Sequence, residues 1–264
     1  MENFFNLQDP KYAYMFGFIQ GDGSLYKHKT RNRGMLTIEI NKRDKYILKK
    51  FKKLIPYNSV IYERTRNTNF KKECTYAGLR IWDLEFRTII NELGIPYGKK
   101  SNIIKIPDCK FSEIDYFRGL IDADGSVGIT KTNLPFVSLT VSSKNIVDAF
   151  IDLIEKITGY RKTTSRNERD QVFNIVIFRE NAQLIVSQLY YDGCLSLPRK
   201  MKKAKKVLKW ERPKDLKKRD MTKVKRWTRE EEDYIIEHTI DESMEKLGRS
   251  EKSVKMKLWK VSVK

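Results

Sequence analysis

Two aspartates, Asp22 and Asp124, each close an apolar run in the sequence Asp-Gly-Ser, and they stand 102 residues apart. Around them the chain nearly repeats itself. Tyr14-Met15-Phe16-Gly17-Phe18-Ile19-Gln20-Gly21-Asp22-Gly23-Ser24 is echoed by Tyr116-Phe117-Arg118-Gly119-Leu120-Ile121-Asp122-Ala123-Asp124-Gly125-Ser126. A repeat of this length points to a duplicated domain, and its end to two equivalent carboxylates at one pseudo-symmetric site. Carboxylates held close repel each other unless cations compensate. Oxygen-ligated Mg²⁺, or Mn²⁺, is the natural counter-ion, and carboxylates with divalent metals beside a phosphodiester are the parts of a metal-dependent phosphodiesterase. An isolated Asp-Gly-Ser is ordinary turn chemistry; the duplication lifts these two above it.

Both runs read as helices, although helix interiors disfavour glycine. Gly17 and Gly21 stand four apart in the first, and Gly119 and Ala123 stand at the matching places in the second. Small residues four apart share a helix face and let two backbones approach closely. Packing the runs through these faces brings their C-terminal ends, and so Asp22 and Asp124, side by side. The Gly21 and Ala123 carbonyls then join the candidate metal ligands.

The chain has 264 residues with 54 Lys and Arg against 34 Asp and Glu, a formal net charge of +20. That excess calls for a polyanion, nucleic acid before an anionic membrane surface. No apolar run reaches the roughly 18 residues of a membrane span. The opening Met1-Glu2-Asn3-Phe4-Phe5 lacks a basic n-region, so no signal peptide is expected and a cytoplasmic location is. Three scattered cysteines, Cys74, Cys109 and Cys194, form neither a disulfide framework nor a zinc pattern and read as reduced, packed thiols. With only His28 and His238, a histidine-centred nuclease or a Ser-His-Asp triad is hard to build.

Helices are expected at 10–23, capped by Asp9 with Pro10 at its first position, at 44–54, and at 82–93. Strands are expected at 36–41, 59–66 and 74–81. The second half repeats the order: helices at 113–124, 144–158 and 180–191, strands near 136–142, 161–166 and 171–178. The fold class is therefore α+β, two pseudo-symmetric α-β-β-α-β-β-α repeats at 1–98 and 112–198 joined by a linker at 99–111. Residues 199–225 are a basic segment and tether, partly helical until Pro213. Residues 226–264 are a small all-α module.

At this point the two runs resemble the paired motifs of the LAGLIDADG homing endonucleases in their single-chain, two-repeat form. Phe117 to Gly125 keeps Gly-Leu-Ile-Asp-Ala-Asp-Gly intact and departs at its first two positions; Met15 to Gly23 is looser, with Gln20 where the pattern has its first acid. The resemblance covers about residues 10–200. It implies a monomeric saddle over double-stranded DNA, with divalent metals bridging Asp22, Asp124 and the scissile phosphates across the minor groove, and a double-strand break with short 3′ overhangs. It also implies a basic residue near the site in each half. Lys105 is the expectation for the first half, with Lys99 and Lys100 competing. Lys200 is the expectation for the second, with Arg199 and Lys202 competing.

Strands laid in the major groove read base edges through alternate side chains. In the first half the polar set is Thr37, Glu39 and Asn41, extended by Tyr62, Arg64, Arg66 and Arg80. In the second it is Ser138, Thr140 and Ser142, extended by Arg161, Thr163, Ser165 and Arg166. The tail from Arg226-Trp227-Thr228-Arg229 onward resembles a Myb/SANT-type helix-turn-helix. Trp227 and Trp259 are its outer core tryptophans, Ser250 caps its third helix, and Lys252, Lys255 and Lys257 project from that helix. Two other functions fit the same chain: an RNA maturase for a group I intron, and a DNA-binding regulator that has lost cleavage. Both aspartates are present, which argues against such decay.

Overall fold

The computed structural model describes residues 4–67, 73–214, 216 and 227–262, which fall into two compact units divided between Arg212 and Pro213. In the first unit α1 (Pro10–Asp22) is buried from Ala13 through Gln20, as befits a helix that is apolar nearly all round. Asp9 caps it, accepting from the Lys11 N–H at 2.8 Å, and Pro10 opens it. The chain passes from helix to strand with no loop between: β1 (Gly23–Lys27) starts directly after Asp22. A side chain on Gly23 would meet the Ile19 carbonyl oxygen at 2.5 Å, so glycine permits that abrupt turn.

Then follow β2 (Gly34–Asn41), α2 (Lys45–Leu54), β3 (Ser59–Arg66), β4 (Cys74–Ile81) and α3 (Leu84–Glu92). The four strands form an antiparallel sheet in the order β1-β2-β4-β3. Leu36, Ile38 and Ile40 of β2 face the core, while Thr37, Glu39 and Asn41 alternate to the other side. The expected order α-β-β-α-β-β-α holds here, with β1 filling a place that the periodicity did not locate, since a five-residue strand is too short to show alternation.

The second half runs α4 (Glu113–Asp124), β5 (Gly125–Ile129), β6 (Pro135–Val141), α5 (Lys144–Thr158), β7 (Phe173–Phe178) and α6 (Arg179–Leu189). Its antiparallel sheet has three strands, β5-β6-β7. The strand expected at 161–166 is replaced by irregular backbone and a single bridge between Arg166 and Phe173. From Arg161 to Gln171 the sequence has no apolar residue, so a strand there would have nothing to face the core.

The basic stretch after residue 198 is not all tether. Pro198–Leu208 forms α7, which buries Lys200, Ala204 and Val207 and packs against β5 and α6. Beyond it, the Trp210 indole N–H donates to the Asn133 carbonyl at 2.8 Å and Arg212 pairs with Glu180 at 2.5 Å. The remainder of the proposed tether, residue 215 and residues 217–226, lies outside the described residues.

The second unit holds α8 (Arg229–Glu237), α9 (Ile240–Leu247) and α10 (Glu251–Ser262). Reciprocal capping boxes, Thr228 with Glu231 and Thr239 with Glu242, open the first two, and Ser250 precedes the third. Ile235 and Val254 form its buried centre. Trp227 stacks under the Arg249 guanidinium at 4.0 Å, and Arg249 pairs with Glu231 at 2.5 Å. Trp259, expected in the core, is 65 % exposed, whereas Lys257, expected to project, is half-buried and pairs with Glu232 of α8. Lys252 is exposed, and Lys255 pairs with Glu251 one turn back.

Candidate active site

The site begins with the crossing of α1 and α4. A Cβ placed on Gly17 would stand 2.2 Å from the Tyr116 carbonyl oxygen, and one on Gly119 would stand 2.2 Å from the Tyr14 carbonyl oxygen. The contact is reciprocal, and any side chain at either glycine would force the backbones apart. One turn on, Gly21 faces Ala123, with 2.4 Å between their β-positions. The matched small residues therefore pair as their spacing implies, and the helices reach their C-terminal ends together.

Hydrogen bonds repeat the exchange. The Tyr14 hydroxyl donates to Asp122 Oδ2 at 2.7 Å, and the Tyr116 hydroxyl donates to Gln20 Oε1 at 2.5 Å. Asp122 also accepts from the Tyr190 hydroxyl and the Leu197 N–H, each at 2.7 Å. Its pKa is still raised, because burial outweighs Lys200 and these donors. Gln20, in the looser motif, passes its own amide N–H to the Lys105 carbonyl at 2.8 Å. These polar groups are cross-braces between the repeats, and in isolation a sequence cannot show which tyrosine reaches across.

Asp22 and Asp124 end the two helices. Asp22 is half-buried, Asp124 is open to solvent, and the Asp124 carboxylate lies against Gly21 of the opposite helix, within 3.0 Å of where a Cβ would be. Burial, then the charge of Asp124, pushes the Asp22 pKa up to about 6, against the pull of Lys100, Lys200 and Arg199. Asp124 is raised as well, by burial of its surroundings, with Lys100 and Lys200 opposing. Neither carboxylate is ion-paired among the described residues. Two neighbouring carboxylates that both hold their protons more tightly than usual are a donor set that suits a divalent cation. No group of three His, Cys, Asp or Glu side chains gathers among the described residues, so such a cation would draw on these two carboxylates and on backbone oxygens. Gly21 is a poorer ligand than expected, since its carbonyl already accepts from Lys100 at 2.6 Å.

The segment that follows each half sends one lysine back to the end of that half's motif helix. The Lys200 ammonium donates to the carbonyls of Ile121, Asp122 and Gly125 at 2.5, 2.7 and 3.0 Å. The Lys100 ammonium donates to those of Ile19 at 3.3 Å, Gly21 at 2.6 Å and Gln20. Unpaired carbonyls at a helix C-terminus carry partial negative charge that draws a cation. Burial lowers both lysines to about 8, with Asp124 and Asp22 opposing at Lys100 and Asp122 foremost at Lys200. Lys105, expected to be the basic residue of the first half, has an exposed side chain, and its contact with the motif helix is through its carbonyl. Spacing from the motif could not choose between lysines on a linker without periodicity.

Arg118 positions Lys200 indirectly. Fully buried, it donates to the carbonyls of Leu195 at 2.7 Å and Leu189 at 2.9 Å and pairs with Asp115. It thus ties the segment that leads into α7 to the motif helix. Arg199, next to Lys200, shares its Nε–H between the two carboxylate oxygens of Asp44 in the first half, at 3.0 and 2.9 Å.

The sheets carry the other expected residues. Glu39 accepts from Tyr62 at 3.0 Å and from Arg64 at 2.7 Å, and it pairs with the Arg66 charge at 3.2 Å. Burial works to raise its pKa, but these donors and charges hold it below the ordinary value. Asn41 caps the turn after β2, accepting from the Arg43 N–H at 3.1 Å. Thr140 donates to Asn174 at 2.7 Å. Ser142 lies past the end of β6, where its carbonyl accepts from Arg166 at 3.1 Å. Arg166 closes the loop before β7, and Arg161 pairs with Asp152 and Glu155 of α5. Neither arginine is on a strand face as expected. Cys109, expected to be packed, is exposed, and Cys74, Cys109 and Cys194 form no disulfide.

Comparison with known structures places this architecture. The chain aligns with the homing endonuclease I-DmoI in a set of mesophilic variants (16% identity, TM-score 0.51, 73% of this chain and 95% of that one). It aligns with I-WcaI bound to its DNA recognition sequence (15% identity, TM-score 0.51, 75% and 87%) and with a single lysine-to-alanine mutant of I-SmaMI (12% identity, TM-score 0.50, 76% and 91%). The fold is that of the LAGLIDADG homing endonucleases. Residues 112–189 match the family profile of the LAGLIDADG-like domain, which covers the second LAGLIDADG helix and most of its repeat. Sequence comparison with curated proteins finds no match.

Proposed function

We propose that this chain is a monomeric, site-specific endonuclease that cuts both strands of a long DNA target by metal-dependent hydrolysis across the minor groove. The observation that carries the reading is the reciprocal helix crossing, which brings Asp22 and Asp124 to one end of the molecule's main unit, with half-buried Lys100 and buried Lys200 on the ends of the two helices. Asp22 and Asp124 would hold the divalent cation, Mg²⁺ or Mn²⁺, with the Ala123 carbonyl. Bound there, the metal supplies an activated water and a counter-charge for the phosphate. Lys100 and Lys200 fix the helix ends that present the carboxylates, and at about 8 they are poised to share or release a proton near neutral pH. The two sheets supply base contacts, and the lysines of α7 supply phosphate contacts that hold the duplex without reading it. The α8–α10 unit is read as a second, Myb/SANT-like DNA-binding head on a tether, which raises the effective concentration of the main unit at its site.

The DNA-bound state of I-WcaI supports the choice of duplex DNA. The test is incubation of the full chain with its own locus, rebuilt without the coding insertion, in Mg²⁺ and in EDTA, with the ends mapped. A Mg²⁺-dependent double-strand break with short 3′ overhangs is expected. Tight binding without cleavage would turn the reading to the regulator, and binding to intron RNA alone would turn it to the maturase.

A further inference from the structure

The outward faces of the two sheets are chemically unlike. On the first, strand register sets Glu39, Gly78 and Tyr62 in one row, Asn41, Tyr76 and Arg64 in the next, and Thr37, Arg80 and Val60 on the other side. Because Gly78 has no side chain, the Tyr62 ring lies across β4, 2.3 Å from where a Cβ would be, and its hydroxyl reaches Glu39. The Arg80 guanidinium stacks on the Tyr62 ring at 4.0 Å and that of Arg66 on Tyr76 at 4.5 Å. Arg64 forks onto Glu39 with two bonds of 2.7 Å. Arg80 Nε is buried and makes no hydrogen bond. Glu39, filled by Tyr62, Arg64 and Arg66, orients arginines and has little capacity left for a base.

The second face carries Ser126, Ser138 and Val176 in one row, Gly128, Phe136 and Phe178 in the next, and Thr140 beside Asn174. None of these strand residues is charged, and Phe178 is 47 % exposed; the charge on this face comes from α7, whose Lys203 lies against Gly128 and with Lys206 flanks Phe136, and it offers no guanidinium fork. Guanine offers O6 and N7 to a planar guanidinium fork, whereas adenine pairs with an Asn amide and thymine offers a methyl group to apolar side chains. Arginines already held by rings and a carboxylate lose less freedom on binding.

From this contrast we infer that the target is lopsided: the half-site under β1–β4 is read at guanines, and the half-site under β5–β7 at A·T pairs. The inference rests on the endonuclease reading and goes beyond it by assigning a base class to each half. The lysines that supply non-specific attraction do not enter it.

The test is selection of a randomised duplex library by the full chain in EDTA, repeated with Arg64→Lys, Arg80→Lys and Asn174→Ala, with the melting temperature of each variant measured alongside. Lysine keeps the charge but loses the fork, so a folded lysine variant isolates base reading from attraction. Guanine is expected at two or more positions of one half only, with enrichment falling about tenfold in the lysine variants. The A·T preference of the other half should remain in those variants and weaken in Asn174→Ala. Guanine in both halves, guanine in the half that responds to Asn174→Ala, or lysine variants that leave the guanine positions unchanged would overturn the inference while leaving sequence-specific DNA binding intact. Absence of any duplex binding would instead overturn the endonuclease reading and this inference with it.

Discussion

The Tyr14 hydroxyl, on the first motif helix, donates at 2.7 Å to the buried carboxyl of Asp122 on the second. With Tyr116 and Gln20 as the counterpart pair, it makes the interface between repeats a mutual exchange of polar groups inside an apolar crossing. A buried acceptor that loses a donor costs more than an exposed one. Tyr14→Phe should lower stability by about 1–3 kcal/mol, read by urea unfolding. Tyr12→Phe, whose hydroxyl makes a longer 3.3 Å bond to the Leu54 carbonyl, should cost at most about 0.5 kcal/mol. Equal losses would mean that the cross-brace carries no special weight.

Gly119→Ala tests the crossing itself. The added methyl would fall 2.2 Å from the Tyr14 carbonyl oxygen and 2.8 Å from the Phe18 nitrogen, both backbone atoms that cannot swing away. Overpacking of this kind costs about 1–3 kcal/mol, so the melting temperature should fall by roughly 2–12 °C. An unchanged transition would show that the helices do not meet here.

The raised Asp22 pKa makes a signed prediction. A carboxyl that titrates at about 6 when folded, against about 3.9 unfolded, binds its proton more tightly in the folded state. Stability therefore declines as pH rises from about 4 to about 6, and the penalty stays in full above that. Asp22→Asn should stabilise the metal-free protein by about 1–3 kcal/mol at pH 7.5 and make no difference below pH 4. Mg²⁺ should likewise raise the melting temperature of the wild-type chain more at pH 7.5 than at pH 5, and Asp22→Asn should blunt that gain. Thermal unfolding across pH, with and without metal, decides it; stabilisation by the substitution at pH 3.5 would contradict the electrostatic origin.

Lys100 and Lys105 separate a placed lysine from a nearby one. Lys100→Met removes the ammonium from three helix-end carbonyls and should slow single-turnover cleavage by about a hundredfold or more. Lys105→Met, exposed and clear of those carbonyls, should change it by less than about threefold. The reverse order would restore Lys105 to the site.

The parts of this molecule that announce themselves in sequence are those whose cause is local. Gly17, Gly21, Gly119 and Ala123 are conspicuous because small residues sit badly inside helices unless something presses against them. Asp9 with Pro10 and the alternation of Leu36 to Asn41 are local in the same way. What escaped depends on long-range contact. Tyr14 and Tyr116 look like ordinary apolar-face residues until the partner helix supplies Asp122 and Gln20. Arg118 looks like a motif irregularity until the Leu189–Leu195 carbonyls surround it. Lys100 could not be told from its neighbours, because its place is set by a fold-back onto Gln20, 80 residues away. The missing strand at 161–166 is a failure of another kind: the symmetry of the repeat was extended over a stretch whose composition could not support it.

The two lysines also bear on how the chain holds together as it unfolds. Lys100 to Gln20 and Lys200 to Ile121 span 80 and 79 residues by sequence separation. Each is a non-covalent clasp that shuts a loop containing almost an entire repeat. Releasing one frees the far end of its half and at the same moment uncaps that half's motif helix, which packs against the other motif helix. Local fraying at residues 97–105 or 195–200 would therefore propagate to the centre of the molecule, so that each half tends to melt as a single event with its seam to the other.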